Sequence, residues 1–551
     1  MMVKRGQSVL SALPILLIGG LIVLPVVVVL SALLTPTPQI WGHLWATILP
    51  EMIGNTLVLL LGVGVGTLLL GTGLAWLTVA YRFPGRAAFD WLLLLPMAVP
   101  TFVMGYVYMA TLDFAGPVQS TLRGLFGSIW FPEIRSGGGA VLVMTLVLYP
   151  YVYLLARAAF QEQARNTFEA ARAMGYSRTS AFFRLALPLA RPSLAAGVAL
   201  ALMEALTDFA TVRFFNFPTL SEGIIRVWHG MMDLRAATEL AGVLLLFALA
   251  LIALERLLRG RARYFQTGGY SPGIGRVRLT GWRGWGAAGL CGLVLAIAFL
   301  VPVLQLALWA VRDLVQAGPS TLAAYWRLAG NSLLLSGLAA GVAIIVAVVV
   351  SNGVRMGGSG GWLTRAIARL ASTGYAIPGA VIAVGILLPL SAIDHALNDL
   401  LEGWRGITIG LVLTGSLVGL IYAYVVRFMA VAYNSVESSL EKVTPNISLA
   451  ARTLGASPRR LLWQIHLPLI TPGLLAGAIL VFVDVMKELP ITMILRPFGY
   501  DTLAIWVWQM AAESLWAGAA LPALTIVAVG VLPVILLLRI TAAKSGSESN
   551  Q

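Results

Sequence analysis

Glu169-Ala-Ala-Arg-Ala-Met-Gly175 and Leu449-Ala-Ala-Arg-Thr-Leu-Gly455 are near-copies of one another, far apart in the same chain. The likeness runs on. Gly175/Gly455, Ser177/Ser457, Pro188/Pro468, Pro192/Pro472 and Gly197/Gly477 match at one constant offset, a tandem duplication. Each copy reads as two short helices. Asn166 with Glu169 three residues on forms a capping box for the first, and Gly175 and Gly455 stand at the left-handed C-cap position. Ser177 and Ser457 are N-caps for the second helix, Pro458 fits its first turn, and Pro188 and Pro468 are expected to stop it. Ala170, Ala171, Ala450 and Ala451 leave the first helix thin enough for another backbone to approach closely.

Around these copies the chain is apolar. Of 551 residues, 59% are hydrophobic and 11% charged, and the mean hydropathy is +0.88, far from the composition of soluble domains. The fold class expected is an all-α integral membrane protein. About twelve apolar runs are long enough to span a bilayer. They lie at 9–34, 53–80, 88–112, 139–160, 189–212 and 236–258, then at 285–311, 331–354, 367–390, 406–431, 470–494 and 518–540. The domains read as a first half at 1–265, a cytoplasmic linker at 266–284, a second half at 285–543 and a disordered tail at 544–551. The N-terminal run is too long for a removed signal peptide and lacks a small-residue cleavage site, so it is read as a retained span.

A net charge of +14 invites a nucleic-acid reading, but the placement of the cations excludes it. With the N-terminus (Lys4, Arg5) cytoplasmic and the spans alternating, most of the 37 Lys and Arg fall in cytoplasmic loops or at their edges. Arg82 and Arg86, Arg157 to Arg191, Arg256 to Arg283, Arg355 to Arg369 and Arg427 to Arg460 make up those clusters. The opposite-side loop 35–52 has none. This positive-inside bias places both termini and both copies of the motif in the cytoplasm. The single cysteine, Cys291, lies inside a predicted span and permits no disulfide within a monomer.

The duplication is global. Gly54-Asn-Thr-Leu recurs as Gly330-Asn-Ser-Leu, Ala98-Val-Pro100 as Ala376-Ile-Pro378, Tyr149-Pro-Tyr-Val as Tyr422-Ala-Tyr-Val, and Val227-Trp228 as Val507-Trp508. With an even number of spans per half, both copies enter the membrane in the same direction. That is a parallel repeat, with a pathway expected between the halves. Phe214 to Arg235 and Pro497 to Trp516 correspond as outer loops with re-entrant or surface-lying helices.

The motif Glu-Ala-Ala, three residues, Gly, then a later Leu-Pro, set before the penultimate span, resembles the signature of permease subunits of binding-protein-dependent ABC importers of type I. Fusion of two six-span halves is similar to the ferric-iron type. So are Thr207-Asp-Phe-Ala-Thr-Val212, Arg427-Phe-Met-Ala-Val-Ala-Tyr-Asn434, Lys487-Glu-Leu-Pro490 and Arg496-Pro-Phe-Gly-Tyr-Asp501. Thiamine and organophosphonate permeases are built alike. The resemblance implies that Glu169, Ala170, Ala171 and Gly175, with Ala450, Ala451 and Gly455, form coupling helices docking into two copies of an ABC ATPase subunit. It also implies a periplasmic substrate-binding protein as partner and the bacterial inner membrane as location. Leu449 departs from the pattern, which has Glu there, so the two couplings are expected to be unequal.

The chain has no Gly-x-x-x-x-Gly-Lys-Ser/Thr loop, so ATP and its magnesium are expected on the partner, and no enzyme activity or bound cofactor is expected here. Gly62, Gly64, Gly66, Gly71 and Gly73 read as a helix-packing face. His43, His229, His395 and His466 are scattered and suggest solvated or structural roles. The acids Glu204 and Asp208 are answered by Asp484 and Glu488 at the same offset, each pair on one helix face at i, i+4. A carboxylate near the bilayer centre costs on the order of 3 kcal/mol, so all four should face protein or water. Two readings stand. The four line the pathway, where oxygen ligands suit a hard cation such as Fe³⁺, or they pair structurally, Asp484 with Lys487 and Asp208 with Arg213 or another basic residue. A gradient-driven secondary transporter would use the same acids as proton or sodium sites, and would leave the twin motifs unexplained.

Overall fold

A computed structural model of the chain describes residues 3–127, 130–163, 173–231, 233–259, 275–316, 318–356 and 377–548. Among them, eleven helices are long and apolar enough to cross a bilayer, or twelve if one bent pair counts as a span. In the first half these are α1 (Val3–Leu34), α2 (Leu49–Ala80), the bent pair of α3 (Arg86–Leu92) with α4 (Thr101–Leu112), α5 (Gly137–Glu162), α6 (Leu187–Thr207) and α7 (Leu234–Arg259). The second half has α8 (Trp282–Leu295) continued by α9 (Val301–Gln316), α10 (Pro319–Met356), α11 (Gly379–Arg405), α12 (Leu417–Leu440), the short α13 (Pro445–Thr453), α14 (Leu467–Met486) and α15 (Trp516–Glu548).

Four expectations change. The third span is not one helix: Arg86–Ala98 and Thr101–Phe126 meet at 88°. Pro100 has no N–H to continue the ladder, so the chain turns there. The span expected at 406–431 begins only at Leu417. Ahead of it, the carboxylate of buried Asp394 accepts from the backbone N–H groups of Val412, Leu413 and Thr414 at 2.7–3.2 Å. Asn398 Oδ1 accepts from Ile409 and Gly410, and the segment is folded onto the end of α11. Helix α15 runs through Glu548, past Lys544 where a disordered tail was expected.

The fourth change concerns Pro188 and Pro468, which do not stop their helices. Arg178–Ala181 passes through a π turn at Phe182–Ala186 into α6, and Pro458–Leu461 passes through Leu462–His466 into α14. The wide turn carries Leu187 N to Phe182 O and Leu467 N to Leu462 O, so the residues before the prolines keep their bonds five residues back. Each elbow and span is one apolar helix, Arg178–Thr207 and Arg459–Met486, starting well before the 189 and 470 expected.

Contacts divide the chain into two compact units that do not coincide with the halves. One comprises 1–38, 224–243 and 317–506; the other comprises 39–223, 244–316 and 507–551. Each is built on the same trio: α10, α12 and α14 in the first unit, α2, α5 and α6 in the second. The helix opening each half belongs to the unit built on the other half's trio. Thus α1 packs along α11, where Gly385 lies against the Pro25 backbone, and α9 packs along α15 and α4. The repeats at 1–265 and 285–543 are therefore sequence units rather than compact bodies.

Of the five glycines expected to form a packing face on α2, Gly62, Gly66 and Gly71 pack closely against α5, Gly64 lies against Leu202 of α6, and a Cβ on Gly73 would meet nothing within 4 Å. A Cβ on Gly66 would stand 2.5 Å from Thr145 Oγ1, and one on Gly71 2.9 Å from Tyr149 O. The helix is clamped to a core of Tyr149, Val152, Tyr153 and Phe160, with Cys291 of α8 buried in the same cluster. Of the linker at 266–284, residues up to 274 lie outside the described residues. Beyond them, Val277–Arg278 forms β2 and pairs in parallel with β1, Tyr81–Arg82.

Candidate coupling segments and intramembrane acids

Asn166, Glu169, Ala170 and Ala171 lie outside the described residues, but the turn after them is present in both copies. Gly175 has φ 86° and Gly455 has φ 81°, the left-handed conformation that a Cβ disfavours. In the second copy Leu454 N donates to Ala450 O, Gly455 N to Arg452 O and Ala456 N to Ala451 O, at 3.0–3.1 Å. These close the C-terminus of α13 as a left-handed cap does. Ser177 Oγ then accepts from Ser180 N at 3.1 Å, and Ser457 Oγ from Arg460 N at 3.3 Å, so both N-caps are made as the sequence indicates.

Helix α13 is held from behind. Arg355, at the end of α10, donates to Leu440 O at 2.7 Å and also to Val443 O, fixing the turn that enters α13. Ser448 Oγ lies 3.0 Å from Nε2 of buried His466 on the elbow. Ala451 is buried against the protein, while Ala450, Leu449 and Leu454 are exposed, Leu454 at 87%. In the first copy Met174 is 71% exposed, and Gln163 donates to Ala186 O at 2.9 Å. Exposed apolar side chains thus project beside both left-handed turns, Leu449 and Leu454 in the second copy and Met174 in the first. His466, read in the sequence as one of four scattered histidines, is part of the brace behind α13.

The acids occupy equivalent places at the far ends of α6 and α14. Asp208 ends α6 and accepts from the backbone N–H and hydroxyl of Thr211, capping the short helix Ala210–Phe214. Glu488 follows α14, and its Oε1 accepts from Ile491 N at 3.0 Å, capping Pro490–Leu495. Both bonds reach three residues forward. Buried Glu488 also faces Arg427, Nε to Oε2 at 3.5 Å, and Arg427 donates to Ile377 O. Arg427 was counted in the sequence among cations of a cytoplasmic edge; it lies instead inside α12 and is buried, because a carboxylate from the neighbouring chain segment compensates it. Asp484 bonds Lys487 at 3.0 Å as anticipated. Arg213 does not face Asp208 but lies over the Trp508 ring, 5.6 Å from its centroid. Glu204 is half-buried one turn before the break. Among the described residues no three His, Cys, Asp or Glu side chains group as a metal site.

The repeated Gly-Asn-Thr/Ser-Leu has a role that the sequence did not reveal. Asn55 donates to Pro218 O at 2.9 Å while Thr56 Oγ1 accepts from Leu220 N at 3.1 Å. Asn331 donates to Asp501 O at 3.0 Å while Ser332 Oγ accepts from Leu503 N at 2.8 Å. In both copies an Asn-hydroxyl pair fastens the outer loop and starts the short helix after it, Leu220–Met231 or Leu503–Ala512.

Eleven or twelve apolar helices and a left-handed turn repeated at Gly175 and Gly455 are, among the described residues, the architecture of a multi-pass membrane protein with an internal repeat. The chain belongs to the family of binding-protein-dependent transport system inner membrane components, whose pattern it matches twice, at residues 67–263 and 350–545. It is similar to the Fe(3+)-transport system permease protein of Haemophilus influenzae, 27% identical over 492 residues, covering 88% of this chain and 89% of that one. A probable ABC transporter permease protein of Sinorhizobium fredii is 26% identical over 498 residues, 85% of this chain and 84% of that protein. The sulfate transport system permease protein CysT of Escherichia coli matches at 29% over 242 residues, 42% of this chain and 86% of its own length.

Proposed function

We propose that the chain is the fused permease of an ATP-driven importer for ferric iron. A periplasmic binding protein delivers the cargo, and two copies of an ATPase subunit grip the 169–175 and 449–455 segments from the cytoplasm. The observation carrying the coupling role is the twin αL-capped turn with exposed apolar residues on a braced base: Met174 in one copy, Leu449 and Leu454 in the other. The iron reading is supported by a likeness to the Haemophilus ferric permease that runs the length of both chains, whereas the sulfate relative matches 42% of this one.

ATP closure of the ATPase pair displaces α13 and the 169–175 segment, and the continuous elbows pass that motion into α6 and α14. Asp208 and Glu488 serve the helix breaks, and the pathway role falls to Glu204 and Asp484, one turn earlier, Asp484 together with its Lys487 partner. The test is reconstitution of the chain with its ATPase and binding protein in vesicles. Ferric uptake that needs ATP and is lost in Gly175→Asp and Gly455→Asp is the expected result. Accumulation from a sodium or proton gradient without an ATPase would overturn it, and thiamine or phosphonate uptake in place of iron would replace the cargo alone.

A further inference from the structure

A basic cavity lies where the linker returns to the membrane. After α2 ends at Ala80, β1 pairs with β2, and Leu279 N donates to Arg82 O at 2.9 Å. Between this pair and the first turn of α8 is a cavity of about 680 Å³, lined among others by Arg82, Pro84, Arg278, Thr280, Gly281 and Trp285. Arg82 and Arg278 are exposed at its mouth, and Arg276 stands within electrostatic range of Arg82, Arg86 and Arg157.

The carboxylate among these cations is already engaged. Asp90 takes Arg157 in a two-pronged pair at 2.8 and 2.9 Å, with Arg86 at 3.6 Å on the same group. Asp90 is also the carboxylate that acts on Arg276, so one acid serves Arg86, Arg157 and Arg276. None among the described residues stands at ion-pair distance from Arg82 or Arg278, and positive charge is in surplus. Such a surplus in a concave site calls for an anion, and guanidinium forks match the two free oxygens of a phosphate diester. The remaining surroundings say which anion. Trp282 and Trp285 are 80% and 70% exposed at the start of a 35-residue apolar span, where amphipathic rings sit at lipid headgroup level. Phe83, Pro84 and Leu279 complete an apolar flank suited to glycerol and acyl groups and of no use to a free ion.

We propose that this cavity binds the headgroup of an anionic phospholipid, its phosphate between Arg82 and Arg278 and its chains against Trp285. The bound lipid neutralises the cluster and fastens the linker strand to the end of α2. The inference does not depend on which solute the protein carries.

Native mass spectrometry of the full chain in non-ionic detergent tests it, with phosphatidylglycerol titrated against phosphatidylethanolamine. The wild type is expected to retain phosphatidylglycerol preferentially. Arg82→Gln with Arg278→Gln should weaken that retention about tenfold or more, each arginine near an anionic surface contributing on this scale. Arg82→Lys with Arg278→Lys keeps the charge but not the forks and should leave a preference between those of the wild type and the Gln pair, which separates loss of site from loss of fold. Equal retention of both lipids by the wild type, or undiminished preference in the Gln pair, would overturn the proposal. So would displacement of the lipid by millimolar inorganic phosphate or glycerol phosphate, which would assign the site to a soluble anion.

Discussion

Arg427 and Glu488 form a buried pair at 3.5 Å, with Glu488 also bonded to Ile491 N. Removing one member of such a pair leaves an uncompensated charge and costs about 3 kcal/mol or more, whereas removing both costs far less. Arg427→Met is therefore expected to lower the thermal midpoint of the solubilised protein by several degrees, and Arg427→Met with Glu488→Gln to recover most of it. A single variant as stable as wild type would show the pair to be energetically idle. Asp208→Asn keeps an acceptor for Thr211 N and should fold normally, while Asp208→Ala loses the cap at about 1 kcal/mol. Glu204→Gln removes the charge while keeping the size and a hydrogen-bonding oxygen, and is expected to slow uptake at matched expression; an unchanged rate would end its pathway role. The sequence showed the four acids and their spacing, but not their division of labour. Arg427 lies 61 positions before its partner, and nothing local tells a buried arginine from one at a membrane edge.

The spans were legible because a run of about twenty apolar residues has few other fates. The caps at Ser177, Ser457, Gly175 and Gly455 were legible because each is decided within four residues. Long-range hydrogen bonds were not: Asn55 reaches Pro218 across 163 positions, so Gly-Asn-Thr-Leu announced itself as a repeat without disclosing its use. Asn331→Ala leaves the Asp501 carbonyl without this donor, a loss of about 1 kcal/mol. It is expected to raise the rate of limited proteolysis across 496–503, and Asn55→Ala should do the same across 216–220. Unaltered cleavage in both would show the outer loops to be held by other contacts. The prolines misled for a different reason. Proline ends a helix when the i−4 ladder is forced on it, and a π turn just before Pro188 and Pro468 relieves that demand. Gly455→Val places a branched side chain at φ 81° and is expected to loosen α13 at a cost of about 1–2 kcal/mol, read as weaker ATPase co-purification.

For the whole molecule, the charge bias sets an orientation that thiol labelling can check. Cys291 is buried, so a cysteine introduced at exposed Thr179 or Arg459 offers the accessible thiol. Both are expected to react with a membrane-impermeant maleimide only in inside-out vesicles; labelling of either in right-side-out vesicles would reverse the topology. The compact units could not be read from the repeats, because helix exchange between halves leaves no periodic mark: α1 and α11 are apolar wherever they pack. The π turns carry one further consequence. Each amounts to a single residue inserted into an α-helix, and one residue is about 100° of rotation. The insertion therefore sets the clocking between the left-handed hook and the acid-bearing tip of its rod. Since both copies carry it at the same place, the two arms share one angular phase, and deleting Phe183 alone would put them out of step.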